Sequence, residues 1–380
     1  MKLTLHIGTE KTATTTIQNY LYDNKDSFLD QNTYIVTSLG AGNNRDLVSC
    51  AMLNEHFDDY HANKGIFTSE DKALNDDMTI KRFEEELQNM PGNIDNVVIS
   101  SEQFHSRLKA EKEVFNLKEI LVRYFADIKV IVYLRPQVDV LISLYSTIIK
   151  SGGKISFEQF ISENPKNMLE YYDYKGLLDK WGEIFGDNNI VPRVFEKSSL
   201  IDNDIITDFC HCSEIELHSY TSNNLNESLT PLAQEAVRLC NLNGASHYNE
   251  IKNKILANKS SYGKGQSLSS IDAFRIQSNY ELDNNQLAKK WFSNEVLFDI
   301  NFGKYENSKN LSDKDKETIS LMLQAGVELN EEDINTIRDS ALEIEKYNPK
   351  LSIALLKIAE RNRPTGLFIR KNLQRLLDAK

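Results

Sequence analysis

An α/β fold with a central parallel sheet, followed by an all-helical C-terminal extension, is what this chain of 380 residues predicts. Three observations carry that reading. Apolar runs near 3–7, 34–37, 97–101, 130–134 and 190–195 alternate with helical patterns, the order that builds a parallel sheet. The first run opens into a loop of phosphate size and then a helix. From residue 311 the strand pattern stops and only helical periodicity remains.

The elements follow in order. Leu3 to Ile7 form a strand that meets Gly8 and a loop with Lys11 and the hydroxyls Thr12, Thr14, Thr15 and Thr16. Ile17, Tyr20 and Leu21 then recur at helical spacing. Backbone N–H groups and the helix dipole at such a start favour an anion. Val97 to Ser101 deliver Glu102 at a strand end, with His105 one turn on. Val130 to Leu134 read as a strand buried on both faces, closed by Arg135. Pro136 opens a helix whose apolar face holds Val138, Leu141, Ile142, Tyr145, Ile148 and Ile149. A helix with Trp181 and Phe185 runs into the strand near 190–195. Polar stretches at 38–46, 61–77 and 243–268 read as loops, and 269–291 as helical. Residues 311–380 read as three or four helices. Ile334, Ile337, Ala341 and Ile344 share one face there, and Leu351, Ala354, Leu355 and Ile358 another. The expected domains are 1–305 and a helical extension, 306–380.

The position of the lysine tests which anion the first loop holds. A Walker A loop, G-x-x-x-x-G-K-[ST], laid from Gly8 puts Ala13 at the second glycine and Thr14 at the lysine, while Lys11 comes three residues early. The loop instead resembles that of sulfotransferases using 3′-phosphoadenosine 5′-phosphosulfate (PAPS), which runs Pro-Lys-Ser-Gly-Thr-Thr. Glu10-Lys11-Thr12-Ala13-Thr14-Thr15 stands in its place, with proline and glycine replaced and Thr16 where an adenine-stacking aromatic is usual. A second segment is similar to the family's: a strand ending in arginine, with a serine eight residues later. Arg135 and Ser143 have that spacing.

The resemblance spans about residues 1–300 and implies a P-loop-like three-layer sandwich. It implies that Lys11, Thr12, Ala13, Thr14, Thr15 and Thr16 bind the 5′-phosphosulfate, and that Arg135 and Ser143 bind the 3′-phosphate. Lys264, in Tyr262-Gly263-Lys264-Gly265, is a further phosphate candidate. Lys11 is placed to stabilise the leaving phosphate. Glu102 is the expected base, with His105 as its substitute. The acceptor would be a hydroxyl of a glycan, a glycolipid or a small metabolite.

Composition bounds the partners. The net charge of −12 argues against general nucleic-acid binding. No run approaches a membrane span, and MKLTLHIG leaves no room for a signal peptide before the first strand. Cys50, Cys210, Cys212 and Cys240 lack paired spacing and read as free thiols of a cytoplasmic protein. Ser100 and Ser101 stand where a kinase would keep an acid for Mg²⁺, so no metal is expected. Residues 350–380 hold eight Lys/Arg and two acids, suited to a membrane surface, an anionic glycan or a solvated helix face. Two rivals stay open: an ATP-dependent P-loop kinase or transferase, and a non-catalytic nucleotide-binding module.

Overall fold

The computed structural model describes residues 1–40, 42–167, 169–220, 228–305, 311–324 and 331–378. The chain forms two compact units. Met1–Leu141, Asn164–Asn226 and Ile271–Phe302 make the first; Ile142–Glu163, Glu227–Ser270 and Gly303–Lys380 make the second. The expected boundary after residue 305 falls at 306–310, outside the described residues.

The first unit is an α/β sandwich on five parallel strands: β1 (Lys2–His6), β2 (Thr33–Ile35), β3 (Asn96–Ser100), β4 (Asp127–Leu134) and β5 (Ile190–Val194). Their order across the sheet is β2-β3-β1-β4-β5. All four pairings are parallel. The five apolar runs of the sequence are these five strands. β1 sits at the centre because its side chains Leu3 and Leu5 feed one face of the sheet, with Val97, Val130 and Trp181. The other face packs Ile17, Tyr20 and Phe28 against Val98, Ile131 and Tyr133. Burial on both faces makes β4 apolar from Val130 to Leu134, while in β1 the buried polar positions Thr4 and His6 are hydrogen-bonded to Asn96 and Ser100 of β3.

The second unit is mainly helical. Its described residues include a short antiparallel pair, β6 (Ser228–Leu229) with β7 (Tyr262–Gly263). The helix Asp313–Gln324 brings Ile319 and Leu323 onto Ala236, Cys240 and Tyr248. The helices Glu331–Ile344, Pro349–Asn362 and Leu367–Asp378 close a separate core on Ile337, Leu355, Leu356 and Leu373. Ala354, expected on that face, is exposed; Ile353 and Leu356 are buried instead. In the basic tail, Arg375 pairs with Glu345 at 2.6 Å and Arg363 with Glu331 at 3.0 Å.

Two expected loops are largely helical. Residues 61–77 overlap helices Asp59–Asn63 and Ser69–Gln88. The longer helix starts where Thr68 accepts from Asp71 N. It buries only Lys72, Thr79 and Phe83, so it shows no apolar stripe in the sequence. Within 243–268 lies the helix Ser246–Ala257, which packs through Tyr248, Ile251 and Ile255.

Candidate functional site

The strand order places a topological switch point at the carboxyl end of β1, where the chain turns to β2 on one side and later reaches β4 on the other. Open parallel sheets bind ligands at such switch points. In register, His6 lies beside Ser100 of β3 and Ile131 of β4. Two residues further on, Gly8, Glu102 and Tyr133 come level. Tyr133 N donates to Gly8 O at 2.8 Å, and Thr9 donates back to Tyr133 O through N and Oγ1, at 3.1 and 3.0 Å. A Cβ on Gly8 would stand 3.1 Å from Glu102 Cα, and its φ is +100°. Only glycine suits that backbone and that approach.

Beyond Gly8 the loop folds on itself. Thr12, fully buried, donates Oγ1 to Thr9 O at 2.5 Å. Lys11 and Ala13 have φ of 67° and 59°, the left-handed region. Each costs on the order of 1 kcal/mol in a residue with a Cβ, a strain that gathers at ligand loops. Ala13 precedes the helix Thr14–Asp23; it offers no capping oxygen, and the first turn carries no acid. The positive helix end is therefore neither capped by its own side chain nor neutralised by an acidic residue of its first turn. Thr14 is buried, Thr16 half-buried and Thr15 exposed.

Four hydrogen bonds brace this loop and the groups around it. Arg135, just past β4, donates Nη1 to Lys11 O at 2.9 Å, with its guanidinium 5.8 Å from the Phe195 ring centre. Tyr174 donates its hydroxyl to Arg135 O at 2.8 Å. Glu102 accepts from Gln18 Nε2 at 2.7 Å. Tyr171 donates its hydroxyl to Glu10 Oε2 at 2.7 Å. Lys11, Arg135 and Glu102 thus meet around one loop, fixed by the ends of three adjacent strands.

His105 differs from Glu102. It is buried, its Nε2 lies 3.1 Å from Tyr171 O, and burial pushes its pKa down to about 4. Its Nδ1 has no hydrogen-bond partner among the described residues. Beneath the loop, His6 is also buried, with Nδ1 2.8 Å from Ser100 Oγ, and burial lowers its pKa to about 3. Ser143, half-buried on the helix Gln137–Lys150, and Lys264, exposed just past β7, belong to the second unit.

Sequence reasoning missed Gln18, Tyr171 and Tyr174. Gln18 had a signal: it lies one helical turn after Thr14, on the same buried face. Tyr171 had none, since 161 residues separate it from Glu10.

Another constellation invites a catalytic reading. Asp58 Oδ1 lies 2.9 Å from His61 Nδ1, and His61 Nε2 lies 3.0 Å from Ser49 Oγ. Ser49 is fully buried and also donates to Asp76 at 3.1 Å, so its hydroxyl is part of the core, not of a substrate site. All four cysteines are free thiols. Among the described residues no cluster of three His, Cys, Asp or Glu is arranged to hold a metal ion, and no helix is long and apolar enough to cross a membrane.

No protein-family profile matches the chain. An uncharacterised protein of Archaeoglobus fulgidus is 28% identical over 151 residues, and the match spans 38% of each chain's length. The crystal structure of a sulfotransferase from Alicyclobacillus acidocaldarius aligns with 65% of this chain and 98% of its own, at 15% identity and a TM-score of 0.38. That likeness is too slight to carry an argument about this chain.

Proposed function

We propose that the chain is a PAPS-dependent sulfotransferase acting on a hydroxyl of a glycan, glycolipid or small metabolite. One observation carries the reading: Arg135 is bonded to the backbone of Lys11, so a guanidinium and an ammonium-bearing loop stand side by side at a switch point. The loop suits an anionic group on structural grounds. The helix start at Ala13 lacks a side-chain cap and a first-turn acid, and Gly8 lets the loop turn closely against Glu102.

Bound there, PAPS supplies the sulfuryl group, whose bond to phosphate oxygen breaks as its bond to the acceptor oxygen forms. Lys11 and the first-turn N–H groups of Thr14–Asp23 stabilise negative charge at the loop. Arg135 presents a planar fork suited to a second phosphate. Ser143 and Lys264 are assigned to that phosphate on sequence grounds alone. Glu102, oriented by Gln18, takes the proton of the acceptor hydroxyl. His105 is the weaker base in this scheme, since its burial opposes the charged form. Residues 1–305 hold this machinery in a cytoplasmic protein, and 306–380 form the helical extension.

Thermal unfolding with 3′,5′-ADP or with ATP and Mg²⁺ tests the proposal, because a ligand preferring the folded state raises the transition temperature. A rise with 3′,5′-ADP that vanishes in Arg135→Ala is expected. A rise with ATP and Mg²⁺ alone overturns the reading in favour of a kinase.

A further inference from the structure

A pocket of about 520 Å³ lies in the first unit, in the size range of small-molecule sites. His105, Ser106 and Tyr171 form part of its wall. That wall adjoins the candidate site. Tyr171 bonds Glu10 through its hydroxyl, and its ring lies 4.8 Å from the His105 ring. His105 and Ser106 stand on the helix Gln103–Arg107, immediately after Glu102.

The pocket's charge runs against that of the chain. Lys109, Lys166 and Lys180 line it, on a protein of net charge −12. Lys180 donates to two carbonyls, Lys109 O at 2.8 Å and Leu108 O at 3.2 Å, so its hydrogen bonds orient the ammonium without cancelling its charge. Desolvation lowers its pKa, which marks a cation with reduced access to water. Two carboxylates also line the pocket. Asp173 is engaged as a helix cap, accepting from Gly176 N at 2.8 Å. Glu170 is exposed and lies in the field of Lys180. The balance favours an anion.

We infer that this pocket receives the acceptor, and that the acceptor is an anionic hydroxyl compound of one or two sugar rings. The inference rests on the sulfotransferase reading, for which it names the substrate class. A ring lies along the Tyr171 and His105 wall, its anionic substituent faces Lys109, Lys166 and Lys180, and a hydroxyl points toward Glu102.

Four probes test it, with dissociation constants taken from NMR titration: methyl β-glucuronide, methyl β-glucoside 6-phosphate, uncharged methyl β-glucoside, and the cationic methyl β-glucosaminide. Both anions are expected to bind about tenfold or more tighter than the neutral probe, and the tighter of the two identifies the anion as carboxylate or phosphate. The double variant Lys109→Glu, Lys166→Glu changes two exposed side chains and is expected to abolish that preference while keeping the thermal shift with 3′,5′-ADP. Equal or tighter binding of the neutral or cationic probe, or an anion preference that survives the double variant, overturns the inference. Absence of the 3′,5′-ADP shift in the unaltered chain overturns the underlying reading instead, so the two failures are separable.

Discussion

Two groups of charged side chains in the first unit are held in opposite ways. Around the helices Arg45–Ala51 and Ser69–Gln88, charge meets charge. Asp58 contacts Arg45, Arg107 at 3.1 Å and His61 at 2.9 Å. The fully buried Lys72 reaches Asp76 at 2.6 Å and the carbonyls of Ser49 and Met52 at 2.9 and 3.1 Å. At the strand ends, charge meets neutral dipoles: Glu102 takes an amide, Glu10 a phenol, and Arg135 a carbonyl. The first arrangement cancels charge and ties segments together. The second fixes the direction of a charge while leaving its sign to act on something else. Chemistry-bearing groups need the second kind of support.

The comparison breaks most easily at Asp58. Asp58→Ala strands Arg45 and leaves His61 without its carboxylate in a buried setting, where removing one partner costs about 3–5 kcal/mol, while Arg107 keeps Asp59 at 3.1 Å. Urea unfolding is expected to show that loss, while the thermal shift with 3′,5′-ADP persists in the folded fraction. Lys11→Ala should do the converse. The loop keeps its backbone bonds, and stability changes little. Sulfuryl transfer to an acceptor is expected to fall roughly 10²–10³-fold, the scale for removing one charge-stabilising group; an unchanged rate would remove Lys11 from the mechanism.

The smallest effect concerns the histidines. Burial depresses His105 to about 4 in the folded chain, whereas the unfolded chain binds that proton near 6.5. Between those values the unfolded state holds more protons, so stability is full above about 6.5 and declines as pH falls toward 4, at up to about 1.4 kcal/mol per pH unit. Denaturation at stepped pH should show a shallower slope in His105→Gln. An unaltered slope would mean that His105 titrates normally.

Much of the sheet was legible because strands buried on both faces leave short, largely apolar runs, most plainly Val130–Leu134. Gly8, Glu102 and Arg135 were legible for a related reason: each directly follows such a run, and parallel strands place their carboxyl ends together. The helix Ser69–Gln88 was not, since a solvated helix with three buried positions has almost no apolar period. Nor were the supports of the site. Tyr171 and Tyr174 come from a segment that meets the loop only after the sheet is assembled. Ala13 was read as a departure from the glycine of the related loop. The structure gives Ala13 the left-handed conformation that glycine would adopt freely, at the cost of strain.

The first unit is finished only by Ile271–Phe302, whose Leu287 and Ala288 pack into the same core as Trp181 and Leu5. A ribosome adding about 5–20 residues per second therefore needs roughly 15–60 s to emit the helices that complete a unit whose central strand emerged before its other strands. Through that interval Leu3, Leu5 and Ile7 lack their full cover, and a nascent-chain chaperone would find its target there.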